Sequence, residues 1–451
     1  MKKINEFQST KEWYLQNFQS FEEKLNGDSK TFLHDLRKSA INQLAQVDFP
    51  NTKDEEWKFT NISPILKQNF IPAVSIGKKD FSINKEELKK YLFSGFEFYL
   101  MTFINGIYSD ELSDLNDIPN GVTIDSLSSL LKRNNEFIKG KISKFVKSEN
   151  AFNLLNRAYS TDGAVIIVND KVVLEKPIQI LFLNGDADKF VLSVPHNLIF
   201  AGKNSQVSVI NLFASINNNS LHFTNSITEV FADESAIVDL YKIQNENDNS
   251  YHYEKVEAYQ LKKSIFNHYN FAFGGEIVRN DINSTLDDEN IETHYYGLYL
   301  ANGKQLVDNH TFVDHAKPNC MSNELYKGIL DDNARGVFNG KIVVRKDAQK
   351  TNAYQQNKTV LLSNSAKVNT KPQLEIFADD VKCTHGATVG HLDDTAYYYI
   401  RTRGIPSELA KSMLIRAFAN DVVEVVKIEP LREQLNHMIF EHLHRVEIEN
   451  K

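Results

Sequence analysis

The sequence predicts a mainly β protein whose core is flanked by a helical region at each end. From residue 151 onward, short runs rich in Val, Ile, Leu and Phe recur, separated by Asn, Asp, Gly and Ser. Such runs, bounded by turn-forming residues, are typical of β-strands. No helical stripe of crossover length separates them, which argues against a sheet built from βαβ units. In both terminal regions apolar residues instead recur every three or four positions, and this spacing predicts amphipathic helices.

We divide the chain into a mostly helical N-terminal region with a small hairpin (1–150), a β core (151–403) and a helical C-terminal region (404–451). The predicted strands of the core include residues 164–168, 177–182, 197–200, 206–212, 237–244, 295–300 and 340–345. A sandwich, a barrel and a parallel β-solenoid all fit this pattern. Polar, Asn-containing corners favour the solenoid, although no strict repeat is visible.

The N-terminal region holds two predicted helices and a hairpin. Asp28 or Ser29 can cap the second helix, because short polar side chains accept hydrogen bonds from the first backbone amides. Asn105-Gly106 lies between two apolar runs and is a dipeptide typical of a type I′ hairpin turn. The sequence therefore places a tight hairpin at this dipeptide.

Trp57 and Phe59 follow an acidic run in the N-terminal region. Large aromatic side chains usually act through burial. We therefore expect both to anchor the helical arm to the body of the protein, with a partner surface as the alternative.

The C-terminal region predicts two amphipathic helices. Pro406 suits the first turn of one helix, and Pro430 separates it from the next. Two short helices can hardly bury both apolar stripes against each other, so one stripe must rest on the β core or on another protein. The alternative is that the helices cap an end of the solenoid. The first stripe comprises Leu409, Met413, Leu414, Ala417, Phe418, Val422 and Val425.

Cys383 and His385 form the most distinctive pair of chemically active side chains. In an extended strand, residues i and i+2 share a face and lie about 6.6 Å apart along the strand. That distance is too long for a dependable hydrogen bond, but one metal or cluster could contact both side chains. From spacing alone, such a pair is more often packing plus a surface imidazole.

Composition excludes several classes of protein. The net charge of −8 argues against a nucleic-acid surface, which would need a basic stripe. Two cysteines cannot supply the four thiolates of an ordinary iron–sulfur site. No apolar run approaches the roughly 18 residues of a membrane span. The N-terminus lacks an apolar signal core, so we expect a cytoplasmic protein without a membrane anchor.

The motif KCTHGATVG, followed by HLDDTAYYYIRTRGI, resembles the C-terminal signature of the SufB/SufD family of iron–sulfur cluster assembly scaffolds. Within that family the Cys-x-His-Gly-Ala-Thr form is similar to the D-type branch. The B-type branch typically has a Glu-Ala-Thr version and an essential cysteine just before it, whereas residues 353–373 contain no cysteine here. The resemblance implies a right-handed parallel β-helix (solenoid) core, flanked by the α-helical N-terminal region and the short α-helical C-terminal region.

The same resemblance implies a non-catalytic assembly subunit that works within a SufBCD complex. It implies pairing with a SufB paralogue as a heterodimer and docking of the ABC-type ATPase SufC on the C-terminal helices, through Leu409, Met413, Leu414 and Phe418. His385 would be a metal ligand to a nascent iron–sulfur cluster at the partner interface, held transiently, with Cys383 beside it. No permanently bound cofactor is implied, and self-pairing as a homodimer in the absence of SufB stays open.

Two enzyme classes remain as alternatives. An exported-type β-helix enzyme acting on polysaccharide would use clustered carboxylates, here Asp379, Asp380, Asp393 and Asp394. A thiol enzyme would use Cys383 with His385, but a thiolate–imidazole pair works only within hydrogen-bond reach.

A second mixture of metal-ligand residue types occurs at His310, His315 and Cys320. Spacings of five place successive residues on opposite faces of a strand, which is unfavourable for ligation. We expect these residues to lie in coil turns, where the imidazoles and Asp314 bond neighbouring backbone.

Overall fold

Most strands alternate between two β-sheets, and the chain thereby forms a β-solenoid of about eight turns, with helices in its N-terminal and C-terminal regions. This computed structural model describes residues 8–25, 31–75, 83–133, 136–146, 150–185 and 189–449. The mainly β solenoid predicted above is confirmed.

The strands form two sheets, of eleven and ten strands. The first sheet contains β1 (Ile71–Pro72), β4 (Val122–Ser126), β5 (Ala164–Val168), β7 (Val191–Ser193), β8 (His196–Ala201), β10 (His222–Ala232), β12 (Tyr251–Gln260), β14 (Ile277–Leu286), β16 (Leu306–His315), β18 (Arg335–Val344) and β20 (Lys367–Ile376). The second sheet contains β2 (Tyr99–Ile104), β3 (Ile107–Tyr108), β6 (Ile178–Asn184), β9 (Gln206–Ser215), β11 (Ile237–Asn245), β13 (Ile265–Ala272), β15 (Glu292–Ala301), β17 (Met321–Leu330), β19 (Asn352–Leu361) and β21 (Lys382–Gly390). From β8 to β21 the strands alternate between sheets, and within each sheet they pair in parallel.

Helices are confined to the two terminal regions and to the entry of the core. They are α1 (Gln8–Lys24), α2 (Phe32–Leu44), α3 (Ser63–Leu66), α4 (Lys85–Leu88), α5 (Leu127–Lys132), α6 (Ala151–Tyr159), α7 (Asp394–Thr402), α8 (Ser407–Val423) and α9 (Glu429–Glu449). Short 3₁₀ turns occupy Glu55–Trp57, Ala73–Ser75 and Lys89–Tyr91.

The predicted hairpin at Asn105-Gly106 is confirmed. β2 and β3 pair antiparallel, with Asn105 at φ 51° and Gly106 at φ 80°. Positive φ at both central residues is the requirement of a type I′ turn. The proposed caps Asp28 and Ser29 lie outside the described residues.

Tight polar corners join the first sheet to the second. At the six corners from β8–β9 to β18–β19, one residue adopts the left-handed conformation, which asparagine tolerates better than most residues. These residues are Asn204, Ser235, Lys263, Asn290, Asn319 and Lys350. The corners thus keep the turns stacked while the strands stay in register.

The space between the sheets is partly apolar and partly polar. Val230, Val256 and Phe266 belong to its apolar cluster. Alongside, the Lys242 ammonium lies 2.8 Å from a Glu254 carboxylate oxygen, and both residues are almost fully buried. Buried charges of this kind need partners, since desolvation is costly. A row of paired polar side chains therefore runs inside the solenoid.

Helices cover the outer faces of both sheets. Phe152 of α6 stacks on Tyr253 of the first sheet with ring centroids 5.1 Å apart. Leu431 and Leu435 of α9 join a buried cluster with Phe271 of the second sheet. The expectation that an apolar stripe rests on the β core is therefore confirmed. The last strand, β21, has no buried residue, so its end of the solenoid is not covered by the described helices.

Candidate functional site at the open end of the solenoid

Cys383 and His385 lie on β21, the terminal strand of the second sheet. β20 ends at Ile376, and residues 377–381 form the connection to β21. In the parallel ladder with β19, Cys383 is opposite Ala353 and His385 is opposite Gln355. Because alternate residues share a face, both side chains project toward the interior side of the last turn. His385 is exposed there, whereas Cys383 packs against the solenoid core.

The environment of Cys383 favours the thiol over the thiolate. Burial raises the pKa of Cys383, and a hydrogen bond with the Ala353 backbone opposes this only in part. Within the described part of the chain, no hydrogen bond joins the Cys383 sulfur to His385. A thiolate–imidazole pair of the kind a thiol enzyme needs is therefore not formed.

The open end exposes large apolar side chains beside these two residues. Phe377 is 62% exposed and Val389 is 45% exposed. Within the described ranges, β20 pairs with β18 alone and β21 with β19 alone, so each strand has a free edge. Free strand edges present unpaired amides and carbonyls that can pair with another chain. The end of the solenoid therefore has the properties of a protein–protein surface.

The four aspartates of the polysaccharide hypothesis do not cluster. Asp379 and Asp380 precede β21, and Asp393 and Asp394 follow it, so the nine residues of β21 separate the pairs. Nine extended residues span about 30 Å. Asp393 caps α7, accepting hydrogen bonds from the backbone amides of the next residues. Carboxylates this far apart cannot act together on one glycosidic bond.

The side chains predicted to dock the ATPase differ in burial. Leu409 is 42% and Met413 is 47% exposed, while Leu414 and Phe418 are half-buried. α8 packs on the second sheet through Ile415 and other buried side chains, and Phe418 also packs against this cluster. Leu409 and Met413 thus remain available to a partner, and docking stays a prediction.

His310, His315 and Cys320 do not converge, and the expectation of coil turns is wrong for the histidines. His310 and His315 belong to β16, on opposite faces. His315 contacts the Ser322 hydroxyl at 2.9 Å inside the solenoid, and the Cys320 thiol donates to the Asp288 carbonyl at 3.2 Å. Asp314 accepts hydrogen bonds from Arg345, a side chain. No group of three or more His, Cys, Asp or Glu in the described residues is arranged to hold a metal ion.

His310 instead belongs to a buried cluster that holds residues 54–60 on the first sheet. We call these residues the acidic-Trp segment. The Arg279 guanidinium lies 3.8 Å from the centre of the Trp57 ring and donates to the Glu56 carbonyl at 2.7 Å. Arg279 also pairs with Asp308, which lies 3.0 Å from His310. The anchoring role is confirmed for Trp57, which is 5% exposed. It is wrong for Phe59, which is 39% exposed.

Gln355 and Glu324 lie beneath His385, and neither was predicted as a site residue from the sequence. Gln355 Nε2 donates to Glu324 Oε2 at 3.1 Å, and Thr311 donates to the same oxygen at 2.7 Å. All three side chains are buried between the sheets. Burial raises the pKa of Glu324 to about 7, against the hydrogen bonds from Thr311 and Gln355. The available signal was alternation: Glu324 and Gln355 occupy inward positions of their strands.

No helix among the described residues has both the length and the apolar character needed to cross a membrane.

Comparison with known proteins identifies the family. Residues 182–418 match the family model described as "SUF system FeS cluster assembly, SufBD core domain", and residues 8–180 match "SufBD protein N-terminal region". An iron–sulfur cluster assembly SufBD family protein of Synechocystis is 30% identical over 92% of each chain. The iron–sulfur cluster assembly protein SufD of Escherichia coli is 30% identical over 88% of this chain and 89% of its own. SufD of Bacillus subtilis is 26% identical over 93% of this chain and 95% of its own. The chain therefore belongs to the SufBD family of iron–sulfur cluster assembly proteins and is SufD-like.

Proposed function

We propose that this chain is the SufD-type subunit of a cytoplasmic Suf scaffold complex and has no catalytic activity of its own. It pairs with a SufB-type partner through the open end of the solenoid and carries a SufC-type ATPase on its C-terminal helices. His385 binds a nascent iron–sulfur cluster at the paired interface, with Cys383 as its neighbour. The cluster is cargo, and ATP hydrolysis takes place on the partner ATPase.

The observation that carries this proposal is the position of His385 on the last strand of an uncapped solenoid. A ligand for a shared cluster must be reachable from a second chain, and His385 is exposed at an end with free strand edges. Neutral imidazole is a good ligand for iron. The two cysteines of the chain cannot complete a cluster site, so the remaining ligands must come from the partner.

The exposed apolar side chains at this end support pairing. Ile376 and Phe377, at the end of β20, are 41% and 62% exposed. Apolar side chains next to free strand edges favour association with another chain over a solvated surface. A SufB-type solenoid end could cover these side chains and continue both sheets. When that partner is absent, a second copy of the same chain could occupy the same surface.

The C-terminal helices support docking of a further subunit. The buried side of α8 is committed to the second sheet, while Leu409 and Met413 face solvent. Two exposed apolar side chains four residues apart lie on one side of a helix. That side is where we place the ATPase.

The test is co-expression with SufB-type and SufC-type partners, followed by anaerobic cluster reconstitution of the purified complex. His385→Ala should leave the complex intact but lower cluster recovery sharply, because a shared site loses one ligand. His391→Ala is the matched control, since this nearby exposed imidazole bonds the Leu361 carbonyl. Cys383→Ser should have a milder effect than His385→Ala.

A second arm of the same experiment addresses docking. The double variant Leu409→Ala/Met413→Ala should lose the ATPase from the complex while still capturing the SufB-type partner. Val173→Ala is the control, because Val173 is also an exposed apolar side chain (57% exposed) but belongs to the β-solenoid and not to the C-terminal helices. Full cluster recovery in His385→Ala, or a chain that purifies without either partner, contradicts the proposal.

A further inference from the structure

Gln355 lies next to His385 in the ladder, one turn further into the solenoid. The register between β19 and β21 pairs the two residues directly, and neighbouring strands are about 4.8 Å apart. Directly paired residues of a parallel ladder point to the same face, so both side chains point to the interior side. Gln355 is 1% exposed, whereas His385 is exposed at the open end. Gln355 is therefore a buried polar group directly beneath the proposed ligand.

The amide of Gln355 is held in one orientation. Its Nε2 donates to Glu324, the residue of β17 that pairs directly with Gln355 one turn further into the solenoid. We call such directly paired inward residues on successive turns a column. Gly340, on the opposite sheet, leaves the space for this amide, since a Cβ at Gly340 would lie 2.3 Å from Gln355 Nε2. The side chain thus crosses the interior with its donor fixed on the deeper turn.

The other end of the amide lacks a donor among the described residues. Gln355 Oε1 is buried and accepts no hydrogen bond from any of them. A buried acceptor without a donor is unfavourable, so such an atom normally has a partner in the functional state. Nε2 is engaged with Glu324 on the deeper turn, so Oε1 is the amide atom left for a donor on the turn of β20 and β21. The polar side chain paired with Gln355 on that turn is His385.

We infer that Gln355 is a positioning residue for His385, accepting a hydrogen bond from one imidazole N–H. The bond forms when the exposed His385 ring turns toward the interior. It fixes the tautomer, and the opposite ring nitrogen keeps its lone pair toward the open end. Glu324 and Thr311 act behind Gln355 by holding the amide in place. This inference rests on the proposed function of His385 as a cluster ligand.

The chemistry is that of outer-shell support for a metal ligand. A ligating histidine almost always donates its second ring N–H to a protein acceptor, which orients the ring. Loss of that acceptor typically lowers metal affinity by about 10- to 100-fold. Gln355 supplies a neutral acceptor that adds no charge to the site.

The test compares Gln355→Leu with Asn357→Leu in the full-length chain. Asn357 is a matched control: it is a buried amide on the same inward face of β19, also with an unpartnered oxygen, but it pairs with Ala387. The first readout is the tautomer of His385 in ¹⁵N-histidine-labelled protein, assigned with His385→Gln. We expect one tautomer in wild type and Asn357→Leu, and averaged ring-nitrogen shifts in Gln355→Leu.

A double variant that exchanges the carboxylate and the amide between the two positions provides the rescue. In Glu324→Gln/Gln355→Glu, the new amide can donate to the new carboxylate, whose second oxygen still accepts from His385. This variant should restore the single tautomer. An unchanged tautomer in Gln355→Leu, or an equal change in Asn357→Leu, overturns the inference whatever His385 binds.

The second readout separates this inference from the proposed function. In the reconstituted complex, Gln355→Leu should weaken cluster retention about 10- to 100-fold, as expected for loss of an outer-shell partner. If His385→Ala abolishes cluster retention and Gln355→Leu does not weaken it, the inference fails and the proposed function stands. If His385→Ala has no effect, the proposed function fails.

Discussion

Glu324 should make the stability of this protein depend on pH in a direction opposite to that of most carboxylates. It is 1% exposed, and its oxygen partners are the neutral groups of Thr311 and Gln355. None of the described residues places a cation beside it, and burial raises its pKa from 4.5 to about 7. The folded chain therefore keeps a proton on Glu324 at pH values where the unfolded chain releases it.

The sign and size of the effect follow from this difference. Between about pH 4.5 and pH 7 the folded state binds one more proton than the unfolded state, so the free energy of unfolding falls as pH rises. The rise of the pKa from 4.5 to about 7, at about 1.36 kcal/mol per pKa unit, lowers the free energy of unfolding by roughly 3 kcal/mol across this window. Above pH 7 Glu324 contributes no further change. Glu324→Gln removes the titration and keeps a neutral side chain of similar shape.

The assay is urea unfolding of wild type and Glu324→Gln at pH 5, 6, 7 and 8 and constant ionic strength. We expect similar stabilities at pH 5 and a growing advantage of Glu324→Gln, up to roughly 3 kcal/mol, by pH 8. Glu111→Gln is the control, because it makes the same substitution at an exposed surface position. A constant difference between wild type and Glu324→Gln from pH 5 to pH 8 would refute the reasoning.

Two further predictions concern the acidic-Trp segment and the thiol at the open end. Trp57→Ala should lower the free energy of unfolding by about 3–5 kcal/mol, because the buried ring on Arg279 is lost, while Phe59→Ala should cost less than about 1 kcal/mol. The reverse order in urea unfolding would contradict this assignment. Cys383 should react with iodoacetamide at a rate still rising above pH 9, since burial raises the pKa of its thiol. Cys320, with a pKa of about 11, should react more slowly at every pH. Peptide mass spectrometry measures the two alkylation rates, and a Cys383 rate that stays constant from neutral pH upward would contradict the prediction.

The sequence predicted the elements whose signals are local. The Asn105-Gly106 turn needs only two residues in the left-handed conformation, and the structure has both. The shared face of Cys383 and His385 follows from strand alternation alone, and β21 preserves it. Proline marked the boundaries of the C-terminal helices because it fits a first turn and cannot continue a helix. Each of these inferences depended on neighbours in sequence and on no distant contact.

Several core strands were missed because their inward side chains are polar. β12, β14 and β16 carry Glu254, Asn280 and Asn309 at positions where an apolar side chain would be expected. Each of these side chains has a partner on the facing second sheet. Glu254 pairs with Lys242 at 2.8 Å, Asn280 accepts a hydrogen bond from the same ammonium, and Asn309 accepts one from Asn270 at 3.0 Å. Hydrophobic periodicity reads such strands as loops, because it cannot recognise a polar residue whose partner lies on the facing sheet.

The same cause explains why the site was predicted only in part. His385 is visible in the sequence because a short motif surrounds it, whereas Gln355 lies thirty residues earlier in a stretch that reads as ordinary polar strand. Only the solenoid register brings the two together, since one turn of about this length returns the chain to the same column. Glu324 enters the column by one further turn. A solenoid therefore spreads the parts of one site along the chain at intervals of a turn. The polar residues to examine in such a protein are therefore those that pair with the motif on successive turns, in addition to the motif's own neighbours in sequence.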